Sequence, residues 1–207
     1  MPLQFESEST GTPYLRFLSQ KDRWEMSAEE QGEHKPVKMD SAIIIDIENL
    51  ILGWMFIKKG HPKDWIPWPN VTGEGAAAKP NEEYKMGFIV KCYSKKQFGK
   101  DAPVREFSSN AVGAKQFIKD LFDYAEENEK FGKGKVPLLK ILPATEVKFA
   151  NGSSAIPQYE IVDWVDRPDE LSGEVPPPEN KDAPPVSPAD SQQSGGAPNV
   201  DFEDDEI

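Results

Sequence analysis

The amino-acid sequence predicts a mainly β domain with one or two helices, followed by an acidic tail that forms no core. Three observations support this prediction. Several segments alternate apolar and polar residues, one segment repeats apolar residues at helical spacing, and the composition changes abruptly after Arg167. The chain has 207 residues, of which 37% are hydrophobic, so it is long enough for one ordinary domain and an extension.

The first part of the chain contains strand candidates separated by a Gly- and Pro-rich segment. Residues 1–35 are polar and uneven, and they suggest an irregular arm with one short strand at residues 14–18. Apolar runs at residues 37–47 and 50–57 are interpreted as strands, although a helix across residues 47–57 would give a similar pattern. Residues 60–83 are predicted to be largely loop because Gly and Pro recur there.

The middle of the chain carries the clearest secondary-structure patterns. Residues 84–93 alternate strictly, which predicts a half-buried strand with a basic outer face. A short strand at residues 104–107 leads into a helix over about residues 110–129, with Asn110 as a candidate cap and Gly132 beyond the end. The apolar residues of this helix recur at helical spacing, and they are Ala114, Phe117, Ile118, Leu121, Phe122 and Ala125.

Three further strand candidates follow the helix, at residues 138–142, 145–149 and 158–165. Strands, then one amphipathic helix, then more strands match the order of an OB-fold, a five-stranded barrel with its helix between the third and fourth strands. We therefore predict an OB-fold-like barrel over residues 1–167, while noting that a small α+β sheet domain would give the same order of elements. Four large aromatic residues are predicted to lie in its core, namely Trp54, Phe88, Phe117 and Phe122.

Charge is unevenly distributed along the chain. The net charge is −12, and residues 168–207 carry eleven acids and one lysine, so residues 1–167 are close to neutral. Within them, residues 84–149 contain thirteen Lys and Arg against eight Asp and Glu. A basic segment of this kind is where phosphate contacts are expected, although solvated surface faces would produce the same skew.

Binding of single-stranded DNA without sequence preference requires cations for the phosphates and aromatic faces for the bases. A first candidate cluster interleaves both in a Pro-rich loop, and it consists of Lys58, Lys59, Lys63, Trp65 and Trp68. The alternative is that the two indoles only cover one end of the barrel. A second candidate cluster lies on the outer face of the alternating strand and beyond it, and it consists of Lys85, Lys91, Tyr93, Lys95, Lys96, Phe98, Lys100, Arg105 and Phe107. The alternative here is a lysine-rich edge that blocks strand pairing.

The end of the chain has the chemistry of a peptide that is bound by other proteins. Residues 168–200 form a Pro-rich linker that is expected to be disordered, and an acidic tip follows with one aromatic residue, namely Asp201, Phe202, Glu203, Asp204, Asp205, Glu206 and Ile207. This tail resembles that of bacterial and phage single-stranded-DNA-binding proteins, many of which finish with Asp-Ile-Pro-Phe, whereas this chain stops at Glu206-Ile207. The resemblance implies an OB-fold body that coats single-stranded DNA in replication, recombination and repair. It also implies a tail that recruits partner proteins, and a location in the cytoplasm of a bacterial host cell.

Two alternatives to DNA coating remain open. The acidic tail could belong to a protein-interaction scaffold. The chain could also be a metal-dependent exonuclease, because Asp46 and Glu48 after an Ile run resemble the first motif of DEDD-type enzymes, and Tyr159 with Asp163 resembles the last. We predict no enzyme activity, metal site or cofactor, since the intervening Asp motif of that family is not evident and no His or Cys stands at metal-ligand spacing.

Two features bear on the compartment. Cys92 is the only cysteine, which fits a reducing compartment, and it falls on the apolar face of its strand. The longest apolar stretch, residues 43–57, is too short and too charged to span a bilayer.

Overall fold

The computed structural model describes residues 13–27, 34–58, 61, 63–149 and 152–172. In these residues the chain is mainly β with two α-helices, which confirms the predicted class. The strands are β1 (Tyr14–Leu18), β2 (Arg23–Ser27), β3 (His34–Val37), β4 (Ile43–Ile45), β5 (Ile51–Phe56), β6 (Asp64–Pro67), β7 (Lys85–Tyr93), β8 (Val104–Ser109), β9 (Lys135–Phe149) and β10 (Gly152–Asp166). The helices are α1 (Lys95–Phe98) and α2 (Val112–Glu126), and two short 3₁₀ segments cover Ile47–Asn49 and Asp169–Leu171.

The ten described strands form one curled, open sheet. Its main path runs β10-β9-β4-β7-β8-β1-β2-β3, and β5 and β6 branch from β7. A backbone hydrogen bond of 3.0 Å from the Ala155 amide in β10 to the Ser19 carbonyl after β1 links two distant parts of this path. The predicted five-stranded barrel is therefore not confirmed; the described sheet is larger and has free ends at β10 and β3.

The N-terminal residues contribute more to the sheet than the sequence indicated. In place of an irregular arm, the described part of residues 13–37 forms β1, β2 and β3. Strand β1 pairs in parallel with β8, and Leu15 lies opposite Phe107. Both side chains are buried, so this segment is part of the core.

The long hairpin of β9 and β10 replaces the three short strands predicted after the helix. The sequence suggested a break near Pro143, yet β9 continues through it. The pairing with β10 shifts its register between Ile156 and Gln158, next to Pro157. A bulge tolerates proline because the extra residues there are left out of the hydrogen-bond ladder.

The core lies between the sheet and helix α2. Strand β7 is confirmed as a strand, and Phe88, Val90 and Cys92 are buried on the face that packs toward α2. Its predicted alternation of burial is only partial, because Ile89 on the other face is also buried and Met86 is exposed. Helix α2 adds Phe117, whose ring lies 5.6 Å from that of Tyr159 in β10. Of the four aromatic residues predicted to be in the core, Phe88 and Phe117 are fully buried, whereas Trp54 and Phe122 are half-buried.

The first turn of α2 contacts β10 so closely that only glycine fits. A Cβ atom at Gly113 would lie 2.0 Å from the Ala155 carbonyl oxygen. Since that oxygen belongs to a paired strand, it cannot move away without disturbing the hairpin. Gly113 therefore sets the separation between the helix and the sheet.

Gly113→Ala should lower the free energy of unfolding by about 1–3 kcal/mol, because the added methyl group overpacks this contact. A loss of stability would be informative, since a Gly→Ala substitution within a helix ordinarily raises the free energy of unfolding. Urea denaturation followed by circular dichroism measures the change. Glu126→Ala, at an exposed position of the same helix, is the control and should stay within about 0.5 kcal/mol of the wild type. An equal or higher stability of Gly113→Ala would contradict the close contact.

Candidate nucleic-acid interface

The face of β7 that points away from α2 carries the polar and basic residues of the alternating strand. We call this the outer face. Lys91 and Tyr93 lie on it and are half-buried, whereas Ile89 lies on it and is buried. These three residues alternate with Phe88, Val90 and Cys92 on the opposite face. Lys91 lies opposite Glu106 of β8, so the outer face continues onto the neighbouring strand. Two neighbouring segments of the chain bound this face.

The first boundary is β6 with the residue before it. The Lys63 ammonium lies 2.8 Å from the Glu106 carboxylate and 3.3 Å from the Ser108 hydroxyl oxygen. Trp65 is 8% exposed and packs on Met55 and Ile89. It contacts β5 at a glycine, because a Cβ at Gly53 would lie 2.8 Å from the indole ring of Trp65. Lys63 is thus held over the outer face by a buried tryptophan two residues away.

The second boundary is formed by α1 and the 3₁₀ segment Asp169–Leu171. The Lys95 ammonium lies 2.8 Å from the Glu170 carboxylate and 5.8 Å from the centre of the Tyr93 ring. The Tyr93 hydroxyl also donates to Glu170, at 3.3 Å. Leu171 is buried next to Ile44 and Val136, which anchors this segment to the sheet.

The ion pair of Lys95 and Glu170 shifts the proton affinity of both groups. The hydrogen bond to Glu170 raises the pKa of Lys95, and the same hydrogen bond lowers the pKa of Glu170. Both groups therefore stay charged over a wide pH range. The Glu170 carboxylate pairs with the Lys95 ammonium, which lies beside the Tyr93 ring. A phosphate could pair with the same ammonium while a base stacks on the same ring.

The structure brings four of the predicted DNA-binding residues together on or beside the outer face. We call them the outer strip, and they are Lys63, Lys91, Tyr93 and Lys95. Lys96, in the same short helix as Lys95, is exposed, and so are Lys85 at the start of β7 and Lys100 after α1. Within the described residues, Lys85, Lys96 and Lys100 form no ion pair.

Four other predicted residues are buried and offer no surface to a nucleic acid in this structure, namely Trp65, Phe98, Arg105 and Phe107. Arg105 and Phe107 alternate with Glu106, and β8 turns them toward the core. The Arg105 guanidinium donates to the Ser27 carbonyl and hydroxyl oxygens, at 3.3 and 3.0 Å. It also lies 5.6 Å from the Phe98 ring centre. Burial lowers the pKa of Arg105, and these contacts compensate its charge.

The remaining predicted residues lie away from the outer strip or outside the described residues. Trp68 is half-buried and packs edge-to-face on Trp54, with ring centres 5.4 Å apart. Lys58 pairs with Glu83 at 3.0 Å. Lys59 lies outside the described residues, as does the whole of the predicted partner-binding tip, Asp201, Phe202, Glu203, Asp204, Asp205, Glu206 and Ile207.

The sequence reasoning missed the contribution of β1 and β2 to this face. Tyr14 lies beside Glu106 in the parallel pairing, and Arg16 follows it on the same face. The Arg16 guanidinium is 2.5 Å from the buried Glu25 carboxylate. Burial would raise the pKa of Glu25, but the hydrogen bonds and the charges of Arg16 and Arg23 together outweigh it and lower the pKa. In the sequence, Tyr14, Arg16 and Leu18 alternate with two apolar residues. This alternation is the signal from which the contribution of β1 to the outer face could have been predicted.

The carboxylates of the exonuclease alternative are engaged in a buried ion-pair network. Asp46 directly follows β4, its amide donates to the Lys91 carbonyl of β7 at 2.9 Å, and the residue is fully buried. Arg167 donates to Asp46 at 2.8 Å and to Glu48 at 2.5 Å. Glu48 also accepts the Gly132 amide at 2.6 Å. This arrangement favours a structural role for both carboxylates.

The other half of that motif is engaged as well. Tyr159 packs on Phe117 in the core, and Asp163 accepts the Trp164 amide at 2.7 Å. Among the described residues, no three His, Cys, Asp or Glu side chains come together in a way that could hold a metal ion. Cys92 is fully buried, and burial raises the pKa of its thiol.

Comparisons with protein-family models, with curated proteins and with solved structures found no match to this chain. In the described part of the chain, no helix is long and apolar enough to cross a membrane.

Arg167→Met should lower the free energy of unfolding by about 3–5 kcal/mol, because it leaves two carboxylates, one of them fully buried, without their cation. Urea denaturation measures the loss. Lys135→Met is the matched control, since Lys135 pairs with the exposed Asp166 in the adjacent part of the hairpin and should cost about 1 kcal/mol or less. A small effect of Arg167→Met, together with Mg²⁺-dependent shortening of an oligonucleotide by the wild type, would favour the exonuclease alternative.

Trp65→Ala should destabilise the protein by about 3–5 kcal/mol, because it removes a buried indole from the contact with Met55, Ile89 and Gly53. Thermal unfolding and urea denaturation both report this change. Trp68→Ala should cost less, since Trp68 is only half-buried. Equal effects of the two substitutions would show that the tight contact at Gly53 is not what holds β6 in place.

Proposed function

We propose that this protein binds single-stranded DNA without sequence preference, along the outer strip. The observation that carries the proposal is the contact of the Lys95 ammonium with the Tyr93 ring on a sheet face that also presents Lys91 and Lys63. Sequence-tolerant binding needs this combination, because cations neutralise phosphates and an aromatic face stacks a base, at about 1–3 kcal/mol per base.

In this proposal the lysines contact phosphates and Tyr93 stacks on a base. Lys63 and Lys95 reach the strand from opposite boundaries of the outer face, and Lys91 lies between them. Glu106 and Glu170 position the ammonium groups in the free protein through ion pairs of 2.8 Å. Phosphate would replace these carboxylates, so part of the electrostatic gain is offset by breaking existing pairs.

The order of elements supports a binding mode of the OB type for this face. The segments β4 with β5, β7, β8, α2, β9 and β10 follow one another as the strands and the helix of an OB-fold do. OB-folds bind oligonucleotides on the face of their second and third strands, which would be β7 and β8 here. Strands β1, β2, β3 and β6 are then additions to that arrangement.

The acidic tip supplies the second half of the proposal. As in the proteins that it resembles, we propose that the tip, residues 201–207, recruits partner proteins of DNA replication, recombination and repair in a bacterial host cell infected by a phage. No catalytic group, metal or cofactor is part of this proposal.

Binding is tested by fluorescence anisotropy of dye-labelled oligo-dT at several salt concentrations, with duplex DNA as competitor. The wild type should bind the single strand in a salt-dependent manner and bind the duplex weakly. Affinity falls as salt rises, and Lys91→Gln combined with Lys95→Gln should make this dependence less steep. The magnitude of the slope of log affinity against log salt should decrease by about 1.4, since two phosphate contacts are lost. Tyr93→Leu should weaken binding by about tenfold and leave that slope unchanged.

The control for the double variant is Lys130→Gln combined with Lys133→Gln. It removes the same charge from an exposed turn that lies outside the outer strip. Equal losses for the two double variants would show a diffuse charge effect and would contradict a site on the outer strip. No binding of oligo-dT by the wild type would refute the function itself.

Glu170→Gln should tighten binding of oligo-dT by up to about fivefold, because the carboxylate no longer competes with phosphate for Lys95. The gain should be largest at low salt and should shrink as salt screens the pair. Glu160→Gln, an exposed position in β10, is the control for net charge. A gain of the same size in both variants would indicate a general effect of charge and not release of Lys95.

A further inference from the structure

The outer face extends beyond the outer strip onto the N-terminal strands. Strand β1 lies in parallel beside β8, with Tyr14 next to Glu106. The Lys63 ammonium contacts Glu106 and Ser108, so this cation of the outer strip lies over β8, next to the outer residues of β1. The cations of the outer strip thus lead directly to β1, although the function proposed above assigns no role to β1, β2 and β3.

Two arginines on this part of the outer face share one buried carboxylate. Arg16 and Glu25 lie directly opposite each other in the pairing of β1 with β2, and Arg23 precedes Glu25 by two residues on the same face. Arg16 donates to Glu25 through Nε and Nη2, at 2.9 and 2.5 Å, and Arg23 donates to the other carboxylate oxygen. The side chains of Arg16 and Arg23 are 36% and 41% exposed, whereas that of Glu25 is 5% exposed. The cluster therefore presents a net positive charge to solvent.

The two arginines also keep hydrogen-bond donors for an anion. A guanidinium has five N–H groups, and the contacts with Glu25 engage two nitrogens of Arg16 and one of Arg23. Within the described residues, Arg23 Nε is buried and has no hydrogen-bond partner. Two planar guanidinium groups that are held together by one carboxylate match the oxygens of a phosphate. This part of the face is therefore suited to bind a phosphate group.

An aromatic pair lies one position along the same face. Tyr14 precedes Arg16 by two residues in β1, and His34 of β3 lies opposite Ser27 of β2. The rings of Tyr14 and His34 have centres 5.3 Å apart and meet at 73°, and the Tyr14 hydroxyl is hydrogen-bonded to the imidazole. His34 is exposed and Tyr14 is half-buried. The pair thus offers an aromatic surface close to the arginines, as Tyr93 does close to Lys95.

We propose that the single strand of DNA on the outer strip continues across β1 and β2 to β3. This inference rests on the proposed function and adds a second binding site to it, which we call the N-terminal subsite: Tyr14, Arg16, Arg23 and His34. The two arginines bind a phosphate, and the aromatic pair stacks a base. Neighbouring strands are about 4.8 Å apart, so the path from β7 to β3 is about 19 Å long.

One nucleic-acid strand suits both places because they repeat the same chemistry. The outer strip and the N-terminal subsite each combine cations with an aromatic ring, and Lys63 lies between them over β8. Each nucleotide supplies one phosphate and one base, so it uses both kinds of group. An acidic peptide would pair with the cations and leave the rings without a partner. Stacking on a ring is also tolerant of sequence, as the proposed function requires.

The test measures the affinity for dye-labelled oligo-dT from about 4 to about 16 nucleotides long, the range that one OB-fold covers. For the wild type, affinity should rise with length until both places are filled. Tyr14→Leu combined with His34→Ala should weaken the longest oligonucleotides by about tenfold, because a stacked base is lost. The shortest should be weakened by about twofold or less, because they still bind the outer strip.

Arg23→Gln tests the phosphate contact and leaves Glu25 paired with Arg16. For the longest oligonucleotides it should decrease the magnitude of the slope of log affinity against log salt by about 0.7, since one phosphate contact is lost. The matched control is Lys35→Gln. Lys35 is exposed and lies opposite Met26, which packs against the core, so the same charge is removed from the other face of these strands. Circular dichroism checks that each variant is folded.

Photo-cross-linking gives a measurement on the wild type, which needs no substitution. Oligonucleotides that carry iodouracil at one position are irradiated in the complex, and the linked residues are mapped by mass spectrometry. We expect links to Tyr14 or His34 as well as to Tyr93, at different positions along the same oligonucleotide. Links of this kind, with losses confined to the longer oligonucleotides, would support the N-terminal subsite.

The outcomes separate this inference from the proposed function. A wild type that does not bind oligo-dT would refute both. Binding that depends on Tyr93 and Lys95 at every length, but is unchanged by substitution of the aromatic pair and by Arg23→Gln, would overturn the N-terminal subsite alone. Equal losses for Arg23→Gln and Lys35→Gln would also overturn it, because they would show a diffuse effect of charge. Cross-links to Tyr93 without any to Tyr14 or His34 would have the same consequence.

Discussion

The structure depends on the pairing and the alternation of one strand, β7. It is hydrogen-bonded to β4, β5 and β8, so three parts of the sheet meet on it. Its residues also separate the two faces of the sheet, with Phe88 and Val90 in the core and Lys91 and Tyr93 outside. A shift of its register by one residue would exchange the two sets and would lose both the core and the outer strip.

The sequence predicted β7 well because its alternation is long and unbroken. It also predicted a strand at β8, but it did not predict which face of that strand is buried. In Val104-Arg105-Glu106-Phe107, each face of the strand receives one apolar and one charged residue. The pattern alone therefore does not say which face is buried. Arg105 can be buried because its guanidinium donates to two oxygens of Ser27 and lies over the ring of Phe98. Ser27 is 78 residues away in the sequence. Tertiary contacts of this kind are invisible to local pattern reasoning.

The same limit explains the other differences between prediction and structure. Asp46 looks like a solvent-facing or metal-binding carboxylate until Arg167, 121 residues later, is seen to pair with it. Trp65 looked exposed because it follows Pro62 in a loop-like segment, and Gly53, on the strand paired with β6, is what lets its ring approach the sheet so closely. For the tip at residues 201–207, composition and resemblance remain the only basis for its predicted role.

The pairing of Arg167 with Asp46 also bears on the time at which the domain can fold. During synthesis the chain emerges from its N-terminus, so Asp46 and Glu48 leave the ribosome long before their cation does. Until Arg167 has emerged, the segment after β4 would have to bury the Asp46 carboxylate without its cation, although the Asn49 side-chain amide donates to it at 2.8 Å, and this is unfavourable. Contacts across so many residues slow folding because a long loop must close before they form. The central strands are therefore expected to gain full stability only when the last strand of the domain, together with Arg167 after it, has left the ribosome.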